Sequence, residues 1–439
     1  MKEAAAHQWS PTGTPALGSE GALYAKVTRR LLPLLFISYL AAYLDRVNVG
    51  FAKLQMLSDL NYSQTVYGFG AGIFFLGYVI FEVPSNIIMH RVGARLWIAR
   101  IMFTWAILSA LTAFVKTPGM FYLLRFLLGA AEAGFIPGIL LYLTYWWPAA
   151  RRGRITALFL AAIPVSGIVG GPLSGWILEL MSNAHGLRGW QWLFLLESIP
   201  SLILGVVVII YLPNSIAKAK WLTESEKSIL RSNIEREDAA KAGHASIGAA
   251  FKSTQVWLLS VIYFGIALGI YVLSFWLPTL IKATGVTQPR DIGMLTAVPY
   301  LCAVFAMFFV CRSADRLGER RWHTIVPCLV CALGLAVSAF FAHNTFGAMI
   351  GLCLATMGAS AAQAAFWSLP AAFLGGAAAA AGIALVNSVG NIAGFVSTYL
   401  VGFLADLTHS TNSSMYFFAA LLVIAAVAIL AVPARLVNR

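Results

Sequence analysis

Charge is scarce in this chain. Asp, Glu, Lys and Arg together make up 11% of its 439 residues, against about 25% in a soluble protein. That scarcity excludes a soluble enzyme and a charge-rich disordered chain. Cysteine is scarce too: the five are Cys302, Cys311, Cys328, Cys331 and Cys353. An odd number within apolar sequence is no disulfide framework. Cys328 and Cys331 form a C-x-x-C, but no second such pair or histidine pair joins it to make a metal site. The sequence also lacks H-E-x-x-H, G-x-S-x-G and G-x-x-x-x-G-K-[ST], the signatures that would suggest an integral-membrane enzyme. No cofactor is expected. A net charge of +13 could suggest nucleic acid as partner. Set within near-continuous apolar sequence, however, basic residues are topology signals, and no nucleic-acid role is expected.

What the chain has in quantity is apolar sequence, 60% of all residues. It falls into blocks long enough to cross a bilayer. About twelve spans are expected, each a helix because only a helix satisfies its own backbone in lipid: 30–52, 66–90, 95–115, 119–147, 154–180, 190–212, 253–281, 290–312, 322–342, 346–369, 377–404 and 413–434. The first is too long for a signal peptide and contains Asp45 and Arg46, so it is expected to be retained. Arg91, Arg95, Arg151, Arg152, Arg154, Lys218, Lys220, Lys227, Arg231, Arg312, Arg316, Arg320, Arg321, Arg435 and Arg439 fall on one side. Only Lys53, Lys116, Arg188, Lys282 and Arg290 fall in the opposite loops. The positive-inside bias puts both termini in the cytoplasm, and an even span count agrees. The expected organisation is a disordered cytoplasmic N-terminus (1–26), six helices (27–212), a polar cytoplasmic linker (213–252), six more helices (253–434) and a short cytoplasmic tail (435–439). Within the linker, Thr223 and Glu226 fit a capping box ahead of Ile229, Leu230 and Ile234, which predicts a short amphipathic helix.

The two halves repeat one signal. HRVGAR (His90 to Arg95) joins spans 2 and 3, and DRLGER (Asp315 to Arg320) joins spans 8 and 9. Glycine suits a tight turn, and arginine suits neighbouring helix C-termini. Arg91, Arg95, Asp315, Arg316 and Arg320 are therefore expected to serve gating. Internal repeats of this kind mark transporters with a cargo site between two bundles near mid-membrane. Twelve spans in a 6+6 pattern with this loop in each half resemble the major facilitator superfamily. More closely, YLDRVN (Tyr43 to Asn48), FEVPSN (Phe81 to Asn86), RFLLGAAEAGFIPG (Arg125 to Gly138), ILYLTYWWP (Ile139 to Pro148), WQWLFLLE (Trp190 to Glu197) and NSVGN (Asn387 to Asn391) resemble its anion:cation symporter family. The nearest likeness is to the branch of tartrate, phthalate and 4-hydroxyphenylacetate permeases. The resemblance runs from about Val27 through the last span. It departs at His90, where the pattern usually has Asp, and at Cys311, where Gly is usual. It implies an all-α membrane protein with the major facilitator fold, two pseudo-symmetric six-helix bundles.

An ionisable side chain inside a span is costly unless paired or hydrated, and so marks function by default. Asp45, Arg46, Glu82, Arg100, Arg125, Glu132, Glu179 and Glu197 qualify. Arg125 and Glu132 lie on one helix face two turns apart, Tyr43 and Arg46 share a face at i,i+3, and Asp45 is about 100° round from Arg46. The simplest arrangement turns both Asp45 and Arg46 toward Arg125 and Glu132. The alternative is a structural salt-bridge lock, but such a lock needs one pair only. Arg46 has the fork to hold a cargo carboxylate. The resemblance implies that role for Arg46, proton coupling for Asp45 and Glu132, and a cavity-lining place for Tyr78. Glu82, near the cytoplasmic end, suits a gate. Arg100 and Glu179 sit near span ends and can snorkel, and Glu197 suits a structural role. The second half offers Gln363 and Trp367, with Ser360 on the same stripe, and Asn387 and Asn391, each pair one turn apart. Either pair can read cargo hydroxyls or rings, or simply hydrogen-bond between helices.

The function expected is import of a small organic anion by proton symport with alternating access. A potential of 100 mV, negative inside, opposes a monoanion by about 2.3 kcal/mol, and one proton per anion cancels that charge. Cargo at Arg46 would also dilute the field on the acids and favour their protonation, coupling the two ligands through charge. An exporter or exchanger, or a sugar-acid symporter, is the alternative. The expected setting is the cell inner membrane, with lipid and the organic anion as partners and the chain a monomer.

Overall fold

The computed structural model describes residues 17–240, 251–373 and 378–438, and these form helices without a strand. Twelve helices are long and apolar enough to cross a membrane. Spans 1 to 6 are Glu20–Leu60, Gln64–Val92, Ala94–Phe114, Pro118–Thr144, Ala149–Leu180 and Gly189–Tyr211. Spans 7 to 12 are Thr254–Ala283, Pro289–Leu317, Trp322–Phe340, Thr345–Pro370, Gly382–Thr408 and Asn412–Ile429. Their outer surface is the lipid-compatible kind, with Leu180, Phe340 and Phe346 each more than 70% exposed.

The same packing occurs in both halves. Span 1 lies against 5 and 6, span 2 against 4, and span 3 against 4 and 6. Spans 7, 8 and 9 repeat this with 11 and 12, 10, and 10 and 12. The loop repeat carries the same symmetry to atomic detail. Gly93 and Gly318 both adopt positive φ, +95° and +63°, where a side chain would be strained. The backbone N–H two residues on is then capped by an asparagine from beyond the last span of that half. Arg95 N donates to Asn214 Oδ1 at 2.9 Å, and Arg320 N donates to Asn438 Oδ1 at 3.0 Å. The arginine side chains expected to form gates have no ion-pair partner among the described residues, and Arg91, Asp315 and Arg316 are exposed.

The N-terminal segment differs from expectation. Residues 1–16 lie outside the described residues, but the first helix already begins at Leu17 rather than near residue 27. Leu23, Tyr24 and Val27 are buried, and two polar contacts join this extension to the linker. Lys26 pairs with Glu226 at 2.8 Å, and Asn233 Nδ2 donates to the Tyr24 hydroxyl at 3.2 Å. The expected capping box is present, with Thr223 N on Glu226 Oε2 at 2.8 Å and Glu226 N on Thr223 Oγ1 at 3.3 Å. It opens a helix over Glu224–Ala240 whose Leu230 is fully buried. The linker therefore docks on the first half; its residues 241–250 lie outside those described.

Candidate functional site

Contacts between the halves are concentrated on the side away from the linker, called outer here. Three pairs of spans carry most of them: 5 with 8, 2 with 11 and 1 with 7. Between spans 5 and 8 the seam is made of small residues. A Cβ on Gly171 would meet the Gly293 carbonyl at 2.7 Å, and one on Gly175 would meet the Pro289 carbonyl at 2.5 Å. Small residues let backbones approach this closely. Span 11 supplies Asp406 to the start of span 2, where its carboxylate accepts from Gln64 N at 3.1 Å, Thr65 N at 2.7 Å and Thr65 Oγ1 at 2.5 Å. Arg290 N, at the start of span 8, donates to Glu179 Oε2 at 3.3 Å, so Glu179 is an inter-half cap and not an idle snorkelling acid. Tyr67 donates to the Phe275 carbonyl at 2.9 Å, and Lys282 to that of Leu54 at 3.0 Å. All these contacts lie in the outer parts of the spans, so the halves are joined on the side opposite the linker.

Inward from this closure lies the charged cluster. Arg46, on span 1, is 5% exposed. Its Nε and Nη2 both donate to Glu132 Oε1, the former at 3.0 Å. Three rings surround the guanidinium, with centroids 5.7 Å (Tyr43), 5.2 Å (Phe74) and 5.4 Å (Tyr78) away. Glu132 is placed by a break in span 4. The helix stops at Glu132, Ala133 turns extended, Gly134 takes φ +88°, and a second helix restarts at Phe135. A side chain at Gly134 would strike Ser85, so the break also needs a glycine for close packing. Arg125, on the same face as Glu132, is fully buried. Its Nη2 reaches only the Arg46 carbonyl, at 3.4 Å, and its Nε and Nη1 have no partner. Among the described residues the cluster thus holds two guanidiniums and one paired carboxylate.

Asp45 does not join them. It turns toward spans 3 and 6, where its carboxylate accepts from Ser201 Oγ at 2.6 Å, Ser109 Oγ at 2.9 Å and Trp105 Nε1 at 3.2 Å. The reason is helical geometry: consecutive residues point about 100° apart, so Asp45 and Arg46 cannot both face span 4. Glu197, on span 6, is buried beside this second nest and accepts from Ser174 Oγ at 2.6 Å.

The second half presents its polar groups around one wall. Gln363 Nε2 donates to the Tyr263 hydroxyl at 3.3 Å, and the Trp367 ring lies 4.8 Å from that of Tyr263. Tyr271 donates to Asn391 Oδ1 at 3.0 Å. Asn387 Nδ2 lies 3.4 Å from Glu82 Oε1, a contact across the halves on the linker side of Arg46. Tyr43 meets Ser274 across the halves at 3.1 Å. Tyr263, Tyr271 and Ser274, which line the wall from span 7, escaped the sequence reading. Their spacing of eight and three residues is the helical stripe that would have found them. The sequence pattern places Lys53 in a loop. It lies instead inside the first helix, 4% exposed, because that helix continues to Leu60.

No group of His, Cys, Asp or Glu among the described residues has the makings of a metal site. Cys328 and Cys331 are free and buried in span 9.

The Major Facilitator Superfamily matches residues 35–398. A Pseudomonas putida protein named "Putative metabolite transport protein NicT" is 51% identical, over 95% of this chain and 96% of its own. A protein of Agrobacterium vitis named "Putative tartrate transporter" is 49% identical, over 92% of each chain. Among solved structures, a bacterial homolog of the human lysosomal transporter Spinster shares the fold at a TM-score of 0.74 and 16% identity, over 97% of this chain and 98% of that one. The xylose transporter XylE of E. coli does so at 0.73 and 14%, over 91% and 96%. Sequence and fold agree, and the chain belongs to the major facilitator superfamily, as a multi-pass membrane transporter of a small molecule and not an enzyme.

Proposed function

We propose that the protein imports a small organic anion, of the tartrate, phthalate or aromatic and hydroxy-carboxylate kind, by proton symport across the cell inner membrane, with both termini cytoplasmic. The observation that carries this reading is the excess of positive charge within the cluster of Arg46, Arg125 and Glu132. Glu132 pairs with Arg46 alone, and Arg125 beside them has no acid of its own among the described residues. An unpaired buried charge is costly, and a cargo carboxylate arriving here relieves that cost. Two relatives named for tartrate support the same class of cargo.

Coupling follows from competition for one guanidinium. Glu132 occupies Arg46 through a single oxygen, Oε1. A cargo carboxylate that takes the fork displaces Glu132, and the freed carboxylate, now buried without its cation, is neutralised by a proton. Asp45 is the second proton carrier, apart from the cargo in its nest of Ser109, Ser201 and Trp105. Tyr43 and Tyr78 frame the guanidinium. Gln363, Trp367, Asn387 and Asn391 read the rest of the cargo from the opposite wall. Glu82 bridges the halves through Asn387 on the linker side of Arg46, as part of an inner gate that the arginines of the two repeated loops, with Asp315, steady.

The test is flux in proteoliposomes with imposed pH and voltage steps, using tartrate, phthalate and 4-hydroxyphenylacetate. Symport requires that an inward proton gradient drive accumulation, with alkalinisation of the outside medium. Accumulation unaffected by the proton gradient, or outward pumping alone, overturns the reading in favour of an exchanger or exporter.

A further inference from the structure

Lys53 is a buried lysine without an ion-pair or hydrogen-bond partner among the described residues. Its Nζ is unpartnered and lies 3.3 Å from the centroid of the Trp276 ring and 4.6 Å from that of Tyr67. Trp276 belongs to span 7 and Tyr67 to span 2, so the ammonium is held across the outer closure by two aromatic faces, one from each half. The two charged groups whose fields reach it are already engaged. Asp406 is taken up by Gln64 and Thr65, and Lys282 by the Leu54 carbonyl. Aromatic faces attract a cation but leave its three donors unsatisfied. A site that only clamped two helices would be served as well by a methionine.

Lys53 lies seven residues beyond Arg46 in one unbroken helix. Seven residues are two turns, about 10 Å along the axis and on the same face. When the outer side opens, spans 1 and 7 part, Trp276 leaves, and the ammonium faces the entering solution directly above Arg46. We propose that Lys53 is an outer recruitment site for the carboxylate of the cargo, sheathed by Trp276 and Tyr67 when the transporter faces inward and uncovered when it faces outward. Cargo is drawn first to Lys53 and then handed two turns down to Arg46. This inference rests on the organic-anion reading and deepens it.

The experiment compares wild type, Lys53→Met and Lys53→Arg in oriented proteoliposomes, using whichever of tartrate, phthalate and 4-hydroxyphenylacetate wild type carries. Lys53→Met is expected to raise the outer KM about tenfold, the order expected for loss of a steering charge, and to flatten its dependence on ionic strength. Its kcat and its affinity from the linker side should stay within about twofold of wild type. Lys53→Arg should restore the outer KM. A second readout needs no variant: labelling of Lys53 by a membrane-impermeant amine reagent, followed by peptide mass spectrometry, should be slowed by external cargo. An unchanged outer KM in a transporting Lys53→Met protein, an equal loss of affinity on both sides, or labelling indifferent to cargo overturns the recruitment site alone. Absence of carboxylate flux in wild type overturns the organic-anion reading itself, and the recruitment site falls with it.

Discussion

Arg46 shows how much a single side chain is asked to do. It is buried, ringed by Tyr43, Phe74 and Tyr78, and paired with Glu132 through two donors. A lysine there would keep the charge and lose the planar fork. A charge-assisted hydrogen bond contributes about 1.5–3 kcal/mol, so Arg46→Lys should weaken carboxylate binding roughly ten- to hundredfold, and Arg46→Ala more. Titration calorimetry on purified protein measures this; a Lys variant that binds as wild type does would remove the fork from the argument. At this scale the sequence was informative where chemistry is rare. Charges in spans are few, so Arg46, Arg125 and Glu132 stood out and do converge. Asp45 stood out equally and points elsewhere, because rarity identifies a residue without giving its direction. Lys53 was hidden by a boundary: hydropathy fades before Leu60 although the helix does not.

The element that positions the site is span 4, and its position depends on where it breaks. Glu132 is the last residue of the first segment, and Gly134 holds a left-handed conformation that L-residues adopt at a cost of about 1–2 kcal/mol. Gly134→Ala adds a collision with Ser85 on span 2. It should lower the melting temperature by several degrees and reduce flux, because relieving the clash displaces the break and, with it, Glu132 at the end of the first segment, away from Arg46. Gly119→Ala, in the first turn of the same span with open space around it, is the control and should be neutral. Thermal unfolding followed by tryptophan fluorescence decides; equal behaviour of the two variants would show that the break tolerates a side chain. The spans themselves were legible because apolar length is a strong signal, and the paired R-x-G-x-R loops gave the two-fold repeat. The break was missed although the sequence marks it. A-E-A-G-F is apolar enough to read as continuous helix, but Gly134 is a poor helix former and Pro137 removes the hydrogen bond that a continuous helix would donate to the Ala133 carbonyl.

For the whole molecule, the question is what the two halves do relative to each other. The main inter-half seams are symmetric: spans 5 and 8 exchange places with 11 and 2 when the halves are interchanged. The outer ends of these spans meet in backbone-close contact, through Gly171 with Gly293 and Asp406 with the start of span 2. The inner ends of spans 5 and 8, by contrast, are open: nothing lies within 4 Å of a Cβ placed on Gly153 of span 5, and Arg316 of span 8 is exposed. This asymmetry is that of an inward-facing transporter, and it makes the glycine seam the part that must open for cargo to enter from outside. Gly293→Leu puts a branched side chain where the Gly171 carbonyl stands. Overpacking of this kind costs about 1–3 kcal/mol, paid only when the outer side is shut, so the ratio of outward- to inward-facing molecules should rise roughly five- to hundredfold. Hydrogen exchange should quicken at the outer ends of spans 2, 8 and 11 and slow on the linker side. Net uptake should fall at least severalfold while cargo still binds from outside. If Gly293→Leu instead keeps the outer amides protected and transports normally, spans 5 and 8 are not the seam on which the halves rock.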